Sequence, residues 1–258
     1  MKPIILFRET MVDKDEVEAA KAAGFDVTFS RMNLKDRLVI GRYSVLPFYK
    51  ELEKDLETQD SKLINSYFDH TYIASFDYYH DIDDLTFKTW FRLQDLPENG
   101  PFVVKGVTNS KKHEWKKKMF ALDKRTAVEI SSELSSDSLI GSQDIIVRKF
   151  EELELVDMGI NDMPMANEWR FFMYQDQILS HGFYWSSTDK RGVIDEGAFN
   201  LVKEVGERMK DRLNFYVVDV AKKKDGSWVV VEFNDGQMSG LSENKAEELY
   251  NNLFKILK

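Results

Sequence analysis

The chain is predicted to be an α/β protein of the mixed (α+β) kind, and three observations carry that prediction. Its first thirty residues alternate strand, helix and strand. Its second half holds two pairs of Val- and aromatic-rich runs at hairpin spacing: Glu168 to Tyr174 with Gln177 to Trp185, and Phe215 to Ala221 with Trp228 to Phe233. Helical stripes separate and close these runs, one on Leu201, Val202, Val205 and Met209, the other on Ala246, Leu249, Tyr250, Leu253, Phe254 and Leu257.

The elements follow in order. Pro3 to Phe7 is a continuous apolar run, as a strand buried on both faces requires. Asp13 with Glu16 three residues later has the pattern of a capping box, and Gly24 closes the helix. Phe25, Val27 and Phe29 then alternate as a second strand. A second round is expected: a strand at Leu38 to Ile40, a helix after Pro47 through Leu56, a strand at Lys62 to Ile64 and a helix from Ser66. Gly41-Arg42-Tyr43-Ser44 falls at a strand-to-helix junction, where ligands gather in α/β sheets, so Arg42 is either an anion contact or an ordinary surface arginine. Asp77 to Asn99 is polar, aromatic and acidic and reads as a connection between lobes. Beyond it come a strand at Pro101 to Lys105, a helix at Lys124 to Leu134, a strand at Asp144 to Phe150, the first hairpin, a helix over about Ala198 to Leu213, the second hairpin and the C-terminal helix.

Composition bounds the function. With 258 residues and 43% hydrophobic content, the chain can build one large domain or two or three lobes. A net charge of -9 argues against a generic nucleic-acid or anionic-membrane binder, because phosphate affinity comes mainly from Lys and Arg. The basic run from Lys111 to Lys118 is a local exception that reads mostly as a solvated helix face, with phosphate contact expected at its start only. The absence of cysteine excludes disulfides, thiolate zinc sites and cysteine nucleophiles, and fits a cytoplasmic protein. Four scattered histidines, His70, His80, His113 and His181, argue against a histidine-ligated metal or a Ser-His-Asp triad. The apolar N-terminal run is too short for a signal peptide, and no segment approaches membrane-spanning length.

The second hairpin carries the sharpest chemistry. With Asp225 and Gly226 as a two-residue loop, Asp219 faces Glu232, and Asn234 follows two residues on, on the same face. Two carboxylates directly opposite repel, so the arrangement calls for a cation. All-oxygen ligands suit Mg²⁺ or Mn²⁺, and Mg²⁺ shares its shell with substrate phosphates, which points to a nucleoside triphosphate. The alternative is a solvated sheet face, and a longer loop would shift the register. The asparagine and the small-residue run Asp235 to Gly240 favour a site.

Other polar residues sit at the ends of apolar strands. Lys105 ends Pro101 to Lys105, followed by small residues that let backbone amides approach a phosphate, although a strand-ending lysine also simply reaches water. Arg148, Lys149, Phe150 and Glu151 lie where another strand leaves the core, either along an adenine or as solvated charges. Glu168 and Arg170 share a strand face, either as a ribose acceptor and a phosphoryl-neutralising group or as members of a cross-strand salt bridge.

In this order, a lysine strand, an adenine-linker strand, Glu-x-Arg, an Asp strand and Glu-x-Asn, the segments over roughly Pro101 to Lys258 resemble the ATP-grasp superfamily. The resemblance implies an N-terminal Rossmann-like α/β lobe at 1–98 and an ATP-grasp domain at 99–258, with a lid at about 99–150 and a catalytic part at about 151–258, two sheet-containing lobes sandwiching ATP. It also implies Lys105 on phosphate, Arg148 to Glu151 along adenine, Glu168 on ribose, Arg170 as the catalytic-site arginine, and Asp219, Glu232 and Asn234 on Mg²⁺. Within the superfamily the chain looks closest to the small bacterial and phage clade named for one arginine and two lysines, with Arg42 and Lys88 as the further arginine and lysine. It is also similar to the cell-division-cycle proteins that assist assembly of a translation initiation factor. The loop Val107 to Lys111 lacks the glycine-rich lid pattern, and Ser110 and Lys111 are expected to replace its amides. The implied activity is ATP- and Mg²⁺-dependent ligation of an unidentified carboxylate to an amine, with a peptide or protein among the expected substrates and a kinase or an ATP-binding assembly factor as alternatives.

Overall fold

The computed structural model describes residues 1–11, 13–138 and 140–258. The N-terminal part is a parallel sheet. Strands β1 (Lys2–Leu6), β2 (Asp26–Thr28), β3 (Arg37–Gly41) and β4 (Lys62–Leu63) lie in the order β2-β1-β3-β4. Helices α1 (Lys14–Ala23), α2 (Tyr49–Glu57) and α3 (Tyr67–Ala74) belong to the same part. Both faces are covered, as apolar strands demand: Ile5 and Ile40 pack with Val17 and Ala20 of α1, while Ile4, Leu6, Val39 and Leu63 pack with Tyr49, Leu52 and Leu56 of α2. Asp13 caps α1 by accepting from the Asp15 amide at 2.9 Å, and Gly24 ends it at a φ of 105°. The expected capping box does not close. The Glu16 carboxylate is taken instead by Arg42 at 2.8 Å and by the Tyr250 hydroxyl at 2.6 Å.

The segment expected to be only a connection contributes β5 (Thr89–Trp90), which pairs with a later strand. Next come β6 (Asn99–Gly106), the one-turn helix α4 (Trp115–Lys118), β7 (Phe120–Asp123), α5 (Lys124–Ser135) and β8 (Ile145–Lys149). These strands form an antiparallel sheet ordered β5-β8-β6-β7. Pleating sorts its residues: Phe102, Val104 and Val147 pack on Ala127, Ile130 and Leu134 of α5, whereas Val103, Lys105 and Arg148 point the other way. The small hairpin of β9 (Leu155–Met158) and β10 (Pro164–Ala166) escapes sequence reading, because neither arm alternates in polarity.

The last part is a four-stranded antiparallel sheet ordered β12-β11-β13-β14, built from β11 (Glu168–Tyr174), β12 (Gln177–Phe183), β13 (Phe215–Lys222) and β14 (Trp228–Asp235), with α6 (Glu196–Met209) and α7 (Ala246–Leu257). Phe171, Met173, Tyr216, Val218 and Val220 pack against α6 and against Tyr72, Ile73, Phe76, Tyr78 and Ile82. Phe172, Phe215, Val217 and Leu179 pack against α7, which in turn covers α1. Each fully buried side chain of this size contributes about 2 kcal/mol, so the sheet is anchored on both faces. Along the second face the apolar series breaks off. Arg170 and Glu168 continue the pleat of Phe172, and Asp219 continues that of Phe215 and Val217.

The acidic hairpin reaches its expected pairing by an unexpected route. Lys223 and Ser227 pair through a 2.8 Å bond, and the Gly226 amide returns to the Lys223 carbonyl at 2.9 Å, so the loop has three residues rather than two. Gly226 sits at a φ of 89°, the left-handed position such a loop requires. The extra loop residue shifts the register near the turn, pairing Lys222 with Trp228 and Val220 with Val230. A bulge at Val231 then shifts it back, and Asp219 faces Glu232.

Candidate functional site

Asp219, Glu232, Arg170 and Lys105 form one buried ionic cluster. Arg170 grips Asp219 with two bonds, from Nε at 2.9 Å and Nη2 at 2.8 Å, and donates Nη1 to the Gly240 carbonyl at 2.9 Å. Lys105, from the other sheet, reaches Glu232 at 2.7 Å. Asn234 turns its amide nitrogen to the other Glu232 oxygen at 3.4 Å. Repulsion between the facing carboxylates is thus relieved within the chain, one cation to each. Burying an unpaired ion costs several kcal/mol, so pairing is what lets Asp219 sit at 0% exposure.

The cations do not act equally on the acids. Burial opposes ionisation of Glu232, but Lys105, Lys112 and Arg170 outweigh it and hold this carboxyl well below the usual range. For Asp219 burial pushes the carboxyl upward and the charge of Glu232 adds to that, while Arg170 opposes both. Glu168 differs again: it is buried, one of its oxygens has no hydrogen-bond partner among the described residues, and burial pushes its carboxyl up to about 7 against the pull of Lys112.

A cavity of about 590 Å³ lies between the β5-β8-β6-β7 sheet and the last sheet. Val103, Phe120, Phe150, Leu155, Met163 and Ala166 give it an apolar body, and Lys105, Lys112, Glu168 and Glu232 stand at its charged side. The size and lining suit a ligand with a flat apolar part and a charged tail.

The structure brings Lys105, Ser110, Arg148, Lys149, Phe150, Glu151, Glu168 and Glu232 to the cavity wall. Asp219, Asn234 and Arg170 lie beside it, joined through Glu232 and the Asp219 pairing. Arg148 is more constrained than its strand-end position suggests. It is buried against the Phe87 ring at 4.7 Å, and donates to the Val231 carbonyl at 2.6 Å and the Thr86 hydroxyl at 2.7 Å. The carbonyl freed by the bulge is therefore capped from the facing sheet.

Three other expected residues lie off the cavity. Lys88 is exposed over the Trp90 ring at 5.3 Å. Arg42 is buried on Glu16 and also bonds the Gly236 carbonyl. It ties a strand end to the loop after β14. Lys111 pairs with Asp137 at 2.6 Å, and the Thr108 and Asn109 amides donate to the Gln143 side chain at 2.9 and 3.1 Å.

The residue sequence reading missed is Lys112. Its ammonium donates to the Tyr184 hydroxyl at 2.9 Å and lies 4.5 Å from the Tyr184 ring centre and 5.2 Å from that of Trp185. In sequence it is one of many lysines in a run that reads as solvated. The only hint is that an aromatic pair able to seat a cation, Tyr184-Trp185, follows β12. A further cluster locks the loop after β14: Asp235 accepts from Asn65 at 2.8 Å, the Gln237 amide at 2.9 Å and Tyr49 at 3.3 Å, and meets His70 at 3.2 Å.

Comparison with known proteins agrees with this fold. No curated protein matches the chain by sequence. Among solved structures, D-cycloserine synthetase DcsG is similar at 15% identity and a TM-score of 0.61, over 99% of this chain and 100% of that one. The ATP-grasp ligase PsnB complexed with precursor peptide PsnA2 and AMPPNP is similar at 10% identity and a TM-score of 0.59, over 100% and 97%. D-alanine–D-alanine ligase from Bacillus anthracis, complexed with ATP, is similar at 12% identity and a TM-score of 0.58, over 99% and 95%. At such identities these likenesses show the fold. The family model described as ATP-grasp domain, R2K clade family 3, matches residues 93–253, most of the chain, which therefore belongs to the ATP-grasp proteins of the R2K clade.

Proposed function

We propose that the chain is an ATP- and Mg²⁺-dependent carboxylate–amine ligase that works through an acyl phosphate. The observation that carries this reading is the ionic cluster at the charged side of the 590 Å³ cavity, where Lys105 and Lys112 face Glu168 and Glu232. In this reading residues 1–98 form the N-terminal domain and 99–258 the ATP-grasp domain, whose lid sheet takes β5 from the preceding segment. Phe150 and the backbone near Lys149 and Glu151 hold the adenine. Glu168, with its unpartnered buried oxygen, takes a ribose hydroxyl.

The donor set fits a divalent cation. Each carboxylate oxygen that accepts one hydrogen bond keeps a second lone pair, so Asp219, Glu232 and the Asn234 amide oxygen remain able to ligate Mg²⁺ or Mn²⁺. Such an ion supplies charge neutralisation and alignment of the triphosphate. The chain's own cations do the rest. Lys105, Lys112 and Arg170 offset charge on the transferring phosphoryl group, and their pairing with buried acids fixes their positions in advance. A substrate carboxylate oxygen forms the new P–O bond as the bond to ADP breaks, the electron pair leaving with ADP. An amine then attacks the acyl carbon, loses a proton and expels phosphate, leaving an amide. The peptide-bound complex of the similar ligase supports a peptide or protein as the substrate.

Equilibrium binding of ATP with and without Mg²⁺ tests the site in the parent, Asp219→Ala and Glu232→Ala. The expected result is loss of Mg²⁺-dependent affinity by about tenfold or more in both variants. Unchanged affinity in both removes the metal assignment. ADP with a phosphorylated product, rather than an amide, removes the ligase assignment.

A further inference from the structure

A second cavity, of about 440 Å³, opens at the carboxyl ends of β1, β2 and β3. Parallel pairing continues past the strands: the Phe7 amide bonds the Thr28 carbonyl at 3.0 Å and the Arg42 amide bonds the Leu6 carbonyl at 2.9 Å. The three exits are thus held side by side. The Thr28 and Ser30 hydroxyls, accepting from the Ser30 and Met32 amides at 3.1 Å each, bend the chain after β2. Arg8 and Arg31 line the cavity from neighbouring exits, and among the described residues neither guanidinium has an ion pair or hydrogen bond. This contrasts with Arg37 on Asp26 and Arg42 on Glu16 in the same sheet. Glu9 lines the cavity too, leaving one positive charge in excess on a chain whose net charge is -9. Part of the wall is apolar and open: Phe29, Leu46 and Phe48 expose 46%, 53% and 56% of their surfaces.

The cavity is coupled to the ionic cluster by one loop. Its wall at Tyr43 follows Gly41, whose amide bonds the Gln237 side chain at 3.3 Å, and Arg42, which bonds the Gly236 carbonyl. The same loop ends at Gly240, whose carbonyl receives Arg170.

We propose that this cavity binds a carboxylate carried by an apolar peptide segment, with Arg8 and Arg31 taking the carboxylate and Phe29, Leu46 and Phe48 the flanking side chains. Neither arginine lines the nucleotide cavity, so this carboxylate is a recognition group distinct from any that is phosphorylated. The proposal rests on the ligase reading only in making the bound peptide its substrate.

Calorimetric titration of the full chain, without nucleotide, with acetyl-Leu-Glu-Phe-amide, its Gln counterpart and free glutamate tests it. The Glu peptide is expected to bind about tenfold or more tighter than the Gln peptide, a preference lost in the double variant Arg8→Ser/Arg31→Ser. A melting temperature for the double variant close to the parent's shows that the loss is local. Equal binding of the two peptides, or none at millimolar concentration, overturns the proposal. Free glutamate binding as tightly as the peptide overturns the peptide assignment. Because nucleotide is absent, failure here is distinct from failure of Mg²⁺-dependent ATP binding in Asp219→Ala.

Discussion

Replacing Glu168 with glutamine keeps the shape of the side chain and removes its titration. In the folded chain burial pushes the carboxyl up to about 7, and Asp219 and Glu232 add to the rise against Lys112 and Arg170; the ordinary value is 4.5. An acid whose folded pKa exceeds its unfolded one contributes stability that is complete below the unfolded value and lost as pH rises through the folded value. Across that window the parent loses about 3 kcal/mol at this site, and Glu168→Gln does not. The group is buried, so solvent screening does not reduce the figure. Urea unfolding of both proteins at about pH 5 and about pH 8, in EDTA and without nucleotide, isolates the effect, since subtraction removes the titrations of groups remote from Glu168. The variant is expected to gain about 2 to 3 kcal/mol on the parent between the two conditions. Parallel pH profiles would refute the argument, for they would mean that Glu168 titrates alike in both states.

Three other outcomes follow from the same interactions. Arg170→Met strands a buried Asp219 carboxylate and is expected to cost about 3 to 5 kcal/mol in urea unfolding, most of it recovered in Arg170→Met/Asp219→Leu, which will still fail to bind Mg²⁺–ATP. Asp235→Asn removes the charged acceptor shared by Asn65, Tyr49, His70 and the Gln237 amide, and a loss of about 2 to 4 kcal/mol by denaturant titration is expected. Gly226→Ala is expected to cost only about 1 kcal/mol, because no described residue lies within 4 Å of the added methyl and the penalty is purely conformational; a much larger loss of stability would contradict the open loop.

The parts of the molecule set by local periodicity were legible. The stripes of α6 and α7 and the apolar runs of β1 and β13 lie close to where their spacing puts them, since each must bury one face. The facing of Asp219 and Glu232 was legible too, but through two departures that cancel. The third loop residue shifts the register, and the bulge at Val231 restores it. Gly226 suits either loop length, and the bulge has no local sequence signature. What stayed hidden depends on long-range partners. Arg148 reads as a strand end until the Val231 carbonyl, 83 residues away, is brought to it. Lys112 reads as solvated until Tyr184 and Trp185 cover it, and Arg42 reads as an anion contact or a surface arginine until Glu16 and Gly236 take up its donors.

The bulge at Val231 also decides where the hairpin tolerates change in length. Val230 packs in the apolar core with Val218 and Val220, yet Glu232, only two residues on, stands on the opposite, charged face. A regular strand would put both on one side. The extra residue is thus a phase shifter that separates two reading frames of in and out, one serving the turn and one serving the acids. Residues Lys223 to Ser227 belong to the first frame, and edits at the tip leave Glu232 where it is as long as the bulge persists. Straightening the strand at constant length would merge the frames and turn an acid toward the core, whereas deleting Val231 itself would restore plain alternation with Glu232 still opposite Asp219. Changes in length are therefore expected to survive at the tip, and at the middle the site is expected to tolerate loss of Val231 but not an added residue, which would move Glu232 off Asp219.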